Sequence, residues 1–175
     1  VCKEDTLNPN AGRRDGAVIA LMYGTALRRQ EVVDLTLSDI NMPNRTLSIL
    51  GKGMKYRTEF LQDFCFNCLD NWLRIRGESP GPFFVRVVRS GRIIHHKLHS
   101  QTIYMLLKKR QEEAGIPSFT PHDLRRTCIT HLLEKGVDIA TVARLVGHTK
   151  IETTMRYDRR PIIVAHQAAM LLSLY

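Results

Sequence analysis

The sequence predicts a mainly α-helical protein with a small antiparallel β-sheet, an α+β class. Three observations carry that prediction. Apolar residues recur every three or four positions through much of the chain, as in Phe64, Cys65, Cys68, Leu69, Trp72 and Leu73. Between Leu37 and Leu61 this period gives way to short runs separated by turn residues. In the last third, capping residues, prolines and glycines mark each helix boundary.

Taken in order, a first helix is expected from about Gly12 to Tyr23, with Val18, Leu21 and Met22 facing inward, and a second over Arg28–Leu35. Leu37–Ile40, Thr46–Leu50 and Lys55–Leu61 read as three antiparallel strands. Met42-Pro43-Asn44 turns the first pair and Gly51-Lys52-Gly53 the second. A helix from Gln62 to Arg76 ends at Gly77, and Phe83–Val88 pairs with Arg92–Ile94 around Ser90-Gly91. The next helix, Gln101–Ala114, is capped by Ser100 and stopped by Gly115.

Thr120, Pro121 and Asp123 combine a cap, a first-position proline and an acid three residues after the cap. That helix runs to Lys135 and stops at Gly136. Asp138 caps another that ends at Gly147, and Thr149 with Glu152 forms a capping box for a short helix carrying Tyr157. Pro161 opens a last helix with Ile162, Ala165, Ala169 and Leu172 on one face. No repeat or low-complexity linker divides the chain, so a single domain over residues 1–175 is expected.

The 26 Lys and Arg outnumber the 17 Asp and Glu, leaving +9, a balance that favours a polyanionic partner such as nucleic acid. Cys65 and Cys68 form a C-x-x-C with no second pair to complete a zinc ribbon, and their helical spacing places them on a buried face. Cys128 falls in line with Leu124 and Leu132, again as core. No disulfide framework or metal site is expected, and a reducing compartment fits. The longest mostly apolar run, Ala17 to Leu27, is too short to span a bilayer, so no membrane association and a cytoplasmic location are expected. His95, His96 and His99 read as structural or DNA-facing, His131 as an interior or boundary residue, and Lys108-Lys109-Arg110 as a solvated helix end.

The chemistry is concentrated elsewhere. His122 and Arg125 share a face at a helix N-terminus, where free N–H groups and the helix dipole favour an anion. On its own an H-x-x-R pair carries little information, and a solvated arginine beside a capping histidine is the better reading of it. The wider set changes the balance: Arg28 with Glu31 one turn on, Lys52 between two glycines, and then His148 and Tyr157. Two arginines, two histidines, a lysine and a tyrosine suffice to attack a phosphodiester without a metal.

Four segments resemble the boxes of the tyrosine recombinase (phage integrase) family in order and interval. They are Gly24-Thr25-Ala26-Leu27-Arg28-Arg29-Gln30-Glu31, Gly51-Lys52-Gly53-Met54-Lys55-Tyr56-Arg57, Pro121-His122-Asp123-Leu124-Arg125-Arg126-Thr127, and Leu145-Val146-Gly147-His148-Thr149 followed by Thr153-Thr154-Met155-Arg156-Tyr157. The resemblance covers about residues 12 to 158 and implies the recombinase catalytic-domain fold. It also implies that Tyr157 attacks the scissile phosphorus, leaving a 3′-phosphotyrosyl link and a free 5′-hydroxyl. Arg28 and Arg125 would stabilise the non-bridging oxygens, Lys52 would protonate the leaving 5′-oxygen, and His122 would handle the tyrosine proton. His148 would hydrogen-bond the phosphate, and Glu31 would position the site.

The same resemblance implies a site-specific recombinase or integrase that needs no cofactor. Its partners would be double-stranded DNA sites and its own copies in a tetramer, with the helix over 161–175 docking on a neighbouring subunit. Relative to the family, an N-terminal DNA clamp and the start of the catalytic domain are expected to be missing. Ala26 stands where the family usually has glycine, and Arg126 where histidine is common. Lys55 competes with Lys52 for the acid role; the glycine-flanked turn and the spacing from Arg28 favour Lys52. Two other functions remain open on this reading: type IB topoisomerase-like relaxation of DNA, and a non-catalytic DNA-binding regulator.

Overall fold

The computed structural model describes residues 7–51 and 56–171. Two compact units divide the chain, Val1–Cys128 and Ile129–Tyr175. Among the described residues the architecture is mainly helical with two small antiparallel sheets, of three and two strands.

In the first unit, helix α1 (Pro9–Thr25) begins three residues before the expected Gly12. Asn8 caps it by accepting from the Ala11 N–H at 3.1 Å, and Pro9 occupies the first turn. That start signal lies ahead of the first periodic apolar residue, so periodicity alone missed it. Ala17, Val18, Leu21 and Met22 of α1 are fully buried, in one cluster with Cys65, Leu69 and Trp72 of α3 (Asp63–Arg76). The Trp72 indole N–H donates to the Phe83 carbonyl at 3.0 Å, which satisfies its one polar atom inside the core. A Cβ at Gly24 would meet Gln62 Oε1 at 2.6 Å and Phe64 Cζ at 3.1 Å, so these two exposed side-chain ends would have to shift to admit a larger residue. Cys65 is buried as expected, whereas Phe64, placed on the same face by its spacing, is exposed.

A short helix α2 (Arg29–Asp34) follows, then a three-stranded sheet of β1 (Ile40–Asn41), β2 (Thr46–Leu50) and β3 (Tyr56–Phe60) in that order. The first strand is shorter than expected. Leu37–Asp39 forms a 3₁₀ turn because the Asp39 carboxylate accepts from the Thr36 N–H and hydroxyl at 2.8 and 2.6 Å, closing a local turn instead of a ladder. The register Leu47↔Glu59 and Ile49↔Arg57 fixes which β3 side chains share a face with buried Leu47 and Ile49. Of the turn predicted over Gly51-Lys52-Gly53, Lys52 and Gly53 lie outside the described residues.

Strands β4 (Val85–Val87) and β5 (Ile93–Lys97) form the second hairpin. Helix α4 (Ser100–Ala114) is capped by His99 and not by Ser100: His99 Nδ1 accepts from the Gln101 N–H at 3.2 Å, leaving Ser100 as the first helical residue. Gly115 ends α4 in the left-handed conformation. Arg110 is not solvated. It donates to Asp15 at 2.7 and 2.9 Å and to Glu113 at 2.7 Å, tying α4 to α1 through a largely buried ion group that also holds Arg14.

Helix α5 (Pro121–Glu134) opens with the expected box: the Asp123 carboxylate accepts from the Thr120 N–H at 2.8 Å and from its hydroxyl at 2.7 Å. The division between the units falls within this helix. The second unit has its own buried set: Ile129, Leu133, Val142, Ala143 and Val146. His131 is exposed, contrary to the interior or boundary placement expected, because it lies on the face away from Ile129 and Leu133. Asp138 caps α6 (Ile139–Leu145) through the Thr141 N–H at 2.9 Å. The Thr149–Glu152 box does not form. Helix α7 (Ile151–Met155) begins with Lys150 as its cap, which puts Glu152 at the second helical position, too early to reach back. Because α7 ends at Met155 with Arg156 as its C-cap, Tyr157 is not on the helix; it lies in the turn just after it.

The last helix, α8 (Pro161–Met170), presents Ile162, Val164 and Met170 to solvent. No helix among the described residues is long and apolar enough to cross a membrane.

Candidate active site

The chain leaves α1 through Ala26, whose φ of 52° and ψ of 29° put a non-glycine residue in the left-handed region. Arg28 then caps α2 in an extended conformation, φ −71° and ψ 150°. The Glu31 carboxylate reaches back to the Arg28 N–H at 2.7 Å and accepts from Arg28 Nη1 at 2.9 Å. An acid in the first turn is favoured by the unpaired N–H groups and dipole of the helix start. Glu31 also accepts from Arg57 of β3, with Nη1 to Oε1 and Nη2 to Oε2 both at 3.0 Å. Arg57 Nε donates to Glu59 Oε1 at 2.9 Å. Arg57 ends the Gly51–Arg57 box without a role assigned to it there, and Glu59 lies outside every box; the strand register sets them opposite buried Ile49 and Leu47.

Arg125, one turn into α5, is 4% exposed. Its Nη1 donates to the Ala26 carbonyl, 99 residues away, so the left-handed residue before Arg28 also anchors the second arginine. His122 is exposed on the same helical turn. Arg28, Arg29, Tyr104, Thr120, His122 and Arg125 line one cleft of about 310 Å³ within the first unit. The structure thus brings Arg28, His122 and Arg125 together, with Glu31 behind Arg28. It adds two wall residues that the sequence reading did not select. Tyr104 has no flanking box to mark it, and Arg29 shares its box with Arg28, the residue that the resemblance selects.

In the second unit, Gly147 turns the chain out of α6 with φ 65°, and the His148 N–H donates to the Ala143 carbonyl at 2.9 Å. His148 Nδ1 and the hydroxyl of fully buried Thr154 are 2.8 Å apart. In the tautomer where Thr154 donates, the ring proton sits on Nε2. The Tyr157 N–H donates to the Thr154 carbonyl at 3.0 Å, and its ring stacks on His148 with centroids 6.4 Å apart and planes at 22°. Thr154 therefore holds both residues, another role that the sequence did not single out. Among the described residues no group of three His, Cys, Asp or Glu side chains is placed to hold a metal ion.

The pattern that defines the phage integrase family matches residues 4–161. The chain belongs to the phage integrase family. Among proteins of that family, it is 37% identical over 147 residues to the tyrosine recombinase XerA of Pyrococcus furiosus, covering 83% of this chain and 50% of that one. It is 34% identical to XerC of Corynebacterium glutamicum, covering 82% and 46%. The chain thus spans about half the length of these relatives. The XerH site-specific recombinase bound to a palindromic difH substrate superposes with a TM-score of 0.73 at 26% identity, over 91% of this chain and 46% of that one. The crystal structure of XerA recombinase superposes with a TM-score of 0.75 at 23% identity, over 94% of this chain and 60% of that one, a likeness of fold.

Electrostatically, this phage integrase domain treats its two carboxyls in opposite ways. Burial pushes Glu31 upward, but the Arg57 hydrogen bonds, the Arg28 N–H and both guanidinium charges outweigh it and hold Glu31 below its ordinary pKa. Glu59 has one arginine donor, is 4% exposed and lies in the field of Glu31; burial dominates and pushes it from 4.5 to about 7. Burial, with a smaller contribution from Glu59, likewise pushes the Cys128 thiol up to about 11, which makes it inert as a nucleophile at neutral pH.

A carboxyl raised by folding binds its proton more tightly in the folded state, so Glu59 lowers stability progressively as pH rises from about 4.5 to about 7. Glu59→Gln removes that dependence. The stability difference, variant minus parent, should therefore grow by roughly 3 kcal/mol between pH 4.5 and pH 8. Denaturant melts at four pH values in that window measure it, and a difference that stays flat would place the Glu59 pKa near its ordinary value.

Proposed function

We propose that this chain is the catalytic domain of a site-specific tyrosine recombinase that breaks and rejoins double-stranded DNA through a covalent 3′-phosphotyrosyl intermediate. The observation that carries this reading is the cleft in which Arg28, Arg125 and His122 converge at the N-terminus of α5. Guanidinium groups and a helix start are the donor set suited to a phosphate. Arg28 and Arg125 bind the non-bridging oxygens, where charge develops in the transition state. His122 relays the tyrosine proton. The Tyr157 hydroxyl, a weak nucleophile while protonated, is activated by that base and by the positive field. His148, oriented through Nδ1 by Thr154, donates from Nε2 to the phosphate. Lys52 protonates the leaving 5′-oxygen, and Glu31 positions Arg28. The covalent link conserves the energy of the phosphodiester, so rejoining needs no ATP or cofactor. The protein acts in the cytoplasm, where its DNA lies.

A nicked suicide duplex should trap a protein–DNA adduct in the presence of EDTA. Tyr157→Phe should bind the same duplex with unchanged affinity and give no adduct. An undiminished adduct from that variant would put the nucleophile elsewhere.

The leaving-group role of Lys52 can be isolated chemically. Expelling a 5′-alkoxide requires a proton in the transition state, whereas a bridging sulfur departs as thiolate without one. Lys52→Ala should be slower by about 10²-fold or more on ordinary DNA and largely restored on a 5′-bridging phosphorothiolate. Arg28→Ala and Arg125→Ala should show little rescue. Equal slowness of Lys52→Ala on both substrates would move the acid to another group, Lys55 first.

The exposed apolar side chains of α8, with Ile162 and Leu171 at its ends each 83% exposed, support docking of this helix on a neighbouring copy in a tetramer on paired sites. Deleting residues 162–175 should impair assembly on paired sites while leaving half-site binding intact, read by native gel shift. Equal losses in both would reduce α8 to a folding support.

A further inference from the structure

We propose that Arg57, steadied by Glu59, is a positioning residue for Arg28 and acts through the Glu31 carboxylate. The inference rests on the reading of Arg28 as a phosphate-binding arginine. Glu31 has a side chain 10% exposed, and each of its oxygens accepts one hydrogen bond from Arg28 and one from Arg57. A carboxylate offers about four acceptor sites, so the set is complete. Arg28 is 46% exposed at its side chain and carries this ion pair on its inner side. The angle at which its guanidinium enters the cleft therefore depends on where Glu31 is held.

Arg57 does that holding with a rigid fork. Both terminal nitrogens face Glu31, and Nε is engaged by Glu59 at 2.9 Å, so three donors on one planar group are committed and its plane cannot rotate freely. Glu59 is buried, at the register position opposite Leu47, and cannot swing away into solvent. The tie also links two parts of the site. Arg57 pairs with Ile49 one rung from Leu50↔Tyr56, the last described rung of the β2–β3 pair. The same guanidinium thus fastens that end of β3 to the helix start that bears Arg28.

Without the fork, a mostly buried carboxylate loses two of its four donors, and Glu31 must reorient or take up a proton. Arg28 then loses its fixed reference, and a displacement of about 1 Å at a catalytic group can slow a reaction about 10²-fold. Lysine would restore the charge of Arg57 but not two parallel N–H donors.

The test measures single-turnover adduct formation on the nicked suicide duplex at saturating protein, together with half-site affinity. Arg57→Lys and Arg57→Ala should each slow adduct formation by about 10- to 100-fold while affinity changes by less than about 3-fold. In an Arg28→Ala background, Arg57→Ala should add less than about 3-fold, because its target is already gone. Glu59→Gln, which keeps an acceptor for Arg57 Nε, should stay within about 3-fold of the parent, and Glu59→Leu should fall with the Arg57 variants. A parental rate in Arg57→Lys, or full multiplication of the Arg57→Ala and Arg28→Ala effects, overturns the inference. Should Arg57→Ala fail to fold, Arg57→Lys decides by the same rate criterion. An absent adduct from the parent protein would overturn the recombinase reading, and this inference with it. An adduct from the parent and an equal one from Arg57→Lys would overturn the inference alone.

Discussion

The Glu31 carboxylate is where separate stretches of the first unit are made to agree. It is the N-terminal acid of a six-residue helix, the partner of the arginine that caps that helix, and the target of an arginine on a strand 26 residues later. A helix as short as α2 has little stability of its own, since nucleation is unfavourable and few turns repay it. Its start is fixed by Glu31 and its inner face by buried Val32 and Val33. An ionised carboxyl this enclosed is tolerable only with its acceptor sites filled. The two arginines fill them, and in doing so set the spacing between α2 and β3.

Arg125 follows a similar rule with a backbone partner. A buried guanidinium needs acceptors, and one is the carbonyl of Ala26. The left-handed conformation of Ala26 costs a non-glycine residue about 1–2 kcal/mol. It reverses the chain between α1 and Arg28, and it explains why the sequence position that resembles a glycine in related boxes is conformationally demanding here. Alanine is tolerated because its methyl is fully buried and the carbonyl is tied down. Strain and anchoring thus occupy the same residue, which joins the approach to Arg28 with the anchor of Arg125.

Much of this was legible in the sequence, and the misses have physical causes. Helices with strong periodicity and caps, such as α3 and α5, were placed within a residue or two because local signals and core burial agree. The errors fell where a side chain outcompeted the pattern. Asp39 closed a turn in place of a strand, His99 took the cap from Ser100, and α7 stopped at Met155, short of Tyr157. The selected residues Arg28, Glu31, His122 and Arg125 could be listed from motif spacing. Arg57, Glu59 and Tyr104 could not, because their relation to the cleft depends on strand register and on helix packing between segments distant in sequence. Thr154 belongs to the last of the four boxes, but its contact with His148 depends on the turn geometry around Gly147.

The charge of the arginine cluster is governed by one group within it. Arg28, Arg57 and Arg125 bring three positive charges, and Glu31 is held ionised well below neutrality. The remaining variable is Glu59, whose pKa of about 7 lies in the physiological range. With Glu59 ionised the five groups sum to one positive charge; with it protonated they sum to two. On the proposed reading a phosphodiester brings one negative charge to Arg28 and Arg125, and at an effective dielectric of about 20 a charge 4 Å away is worth about 4 kcal/mol. A buried carboxylate in the field of those arginines therefore competes with the phosphate for the same positive potential. The cluster gains rigidity by enclosing Glu59, and part of its attraction for an anion is offset whenever that carboxyl is charged. Replacing arginines by lysines would not resolve the conflict, because only planar forks can satisfy two carboxylates and still present a fixed face to a third anion.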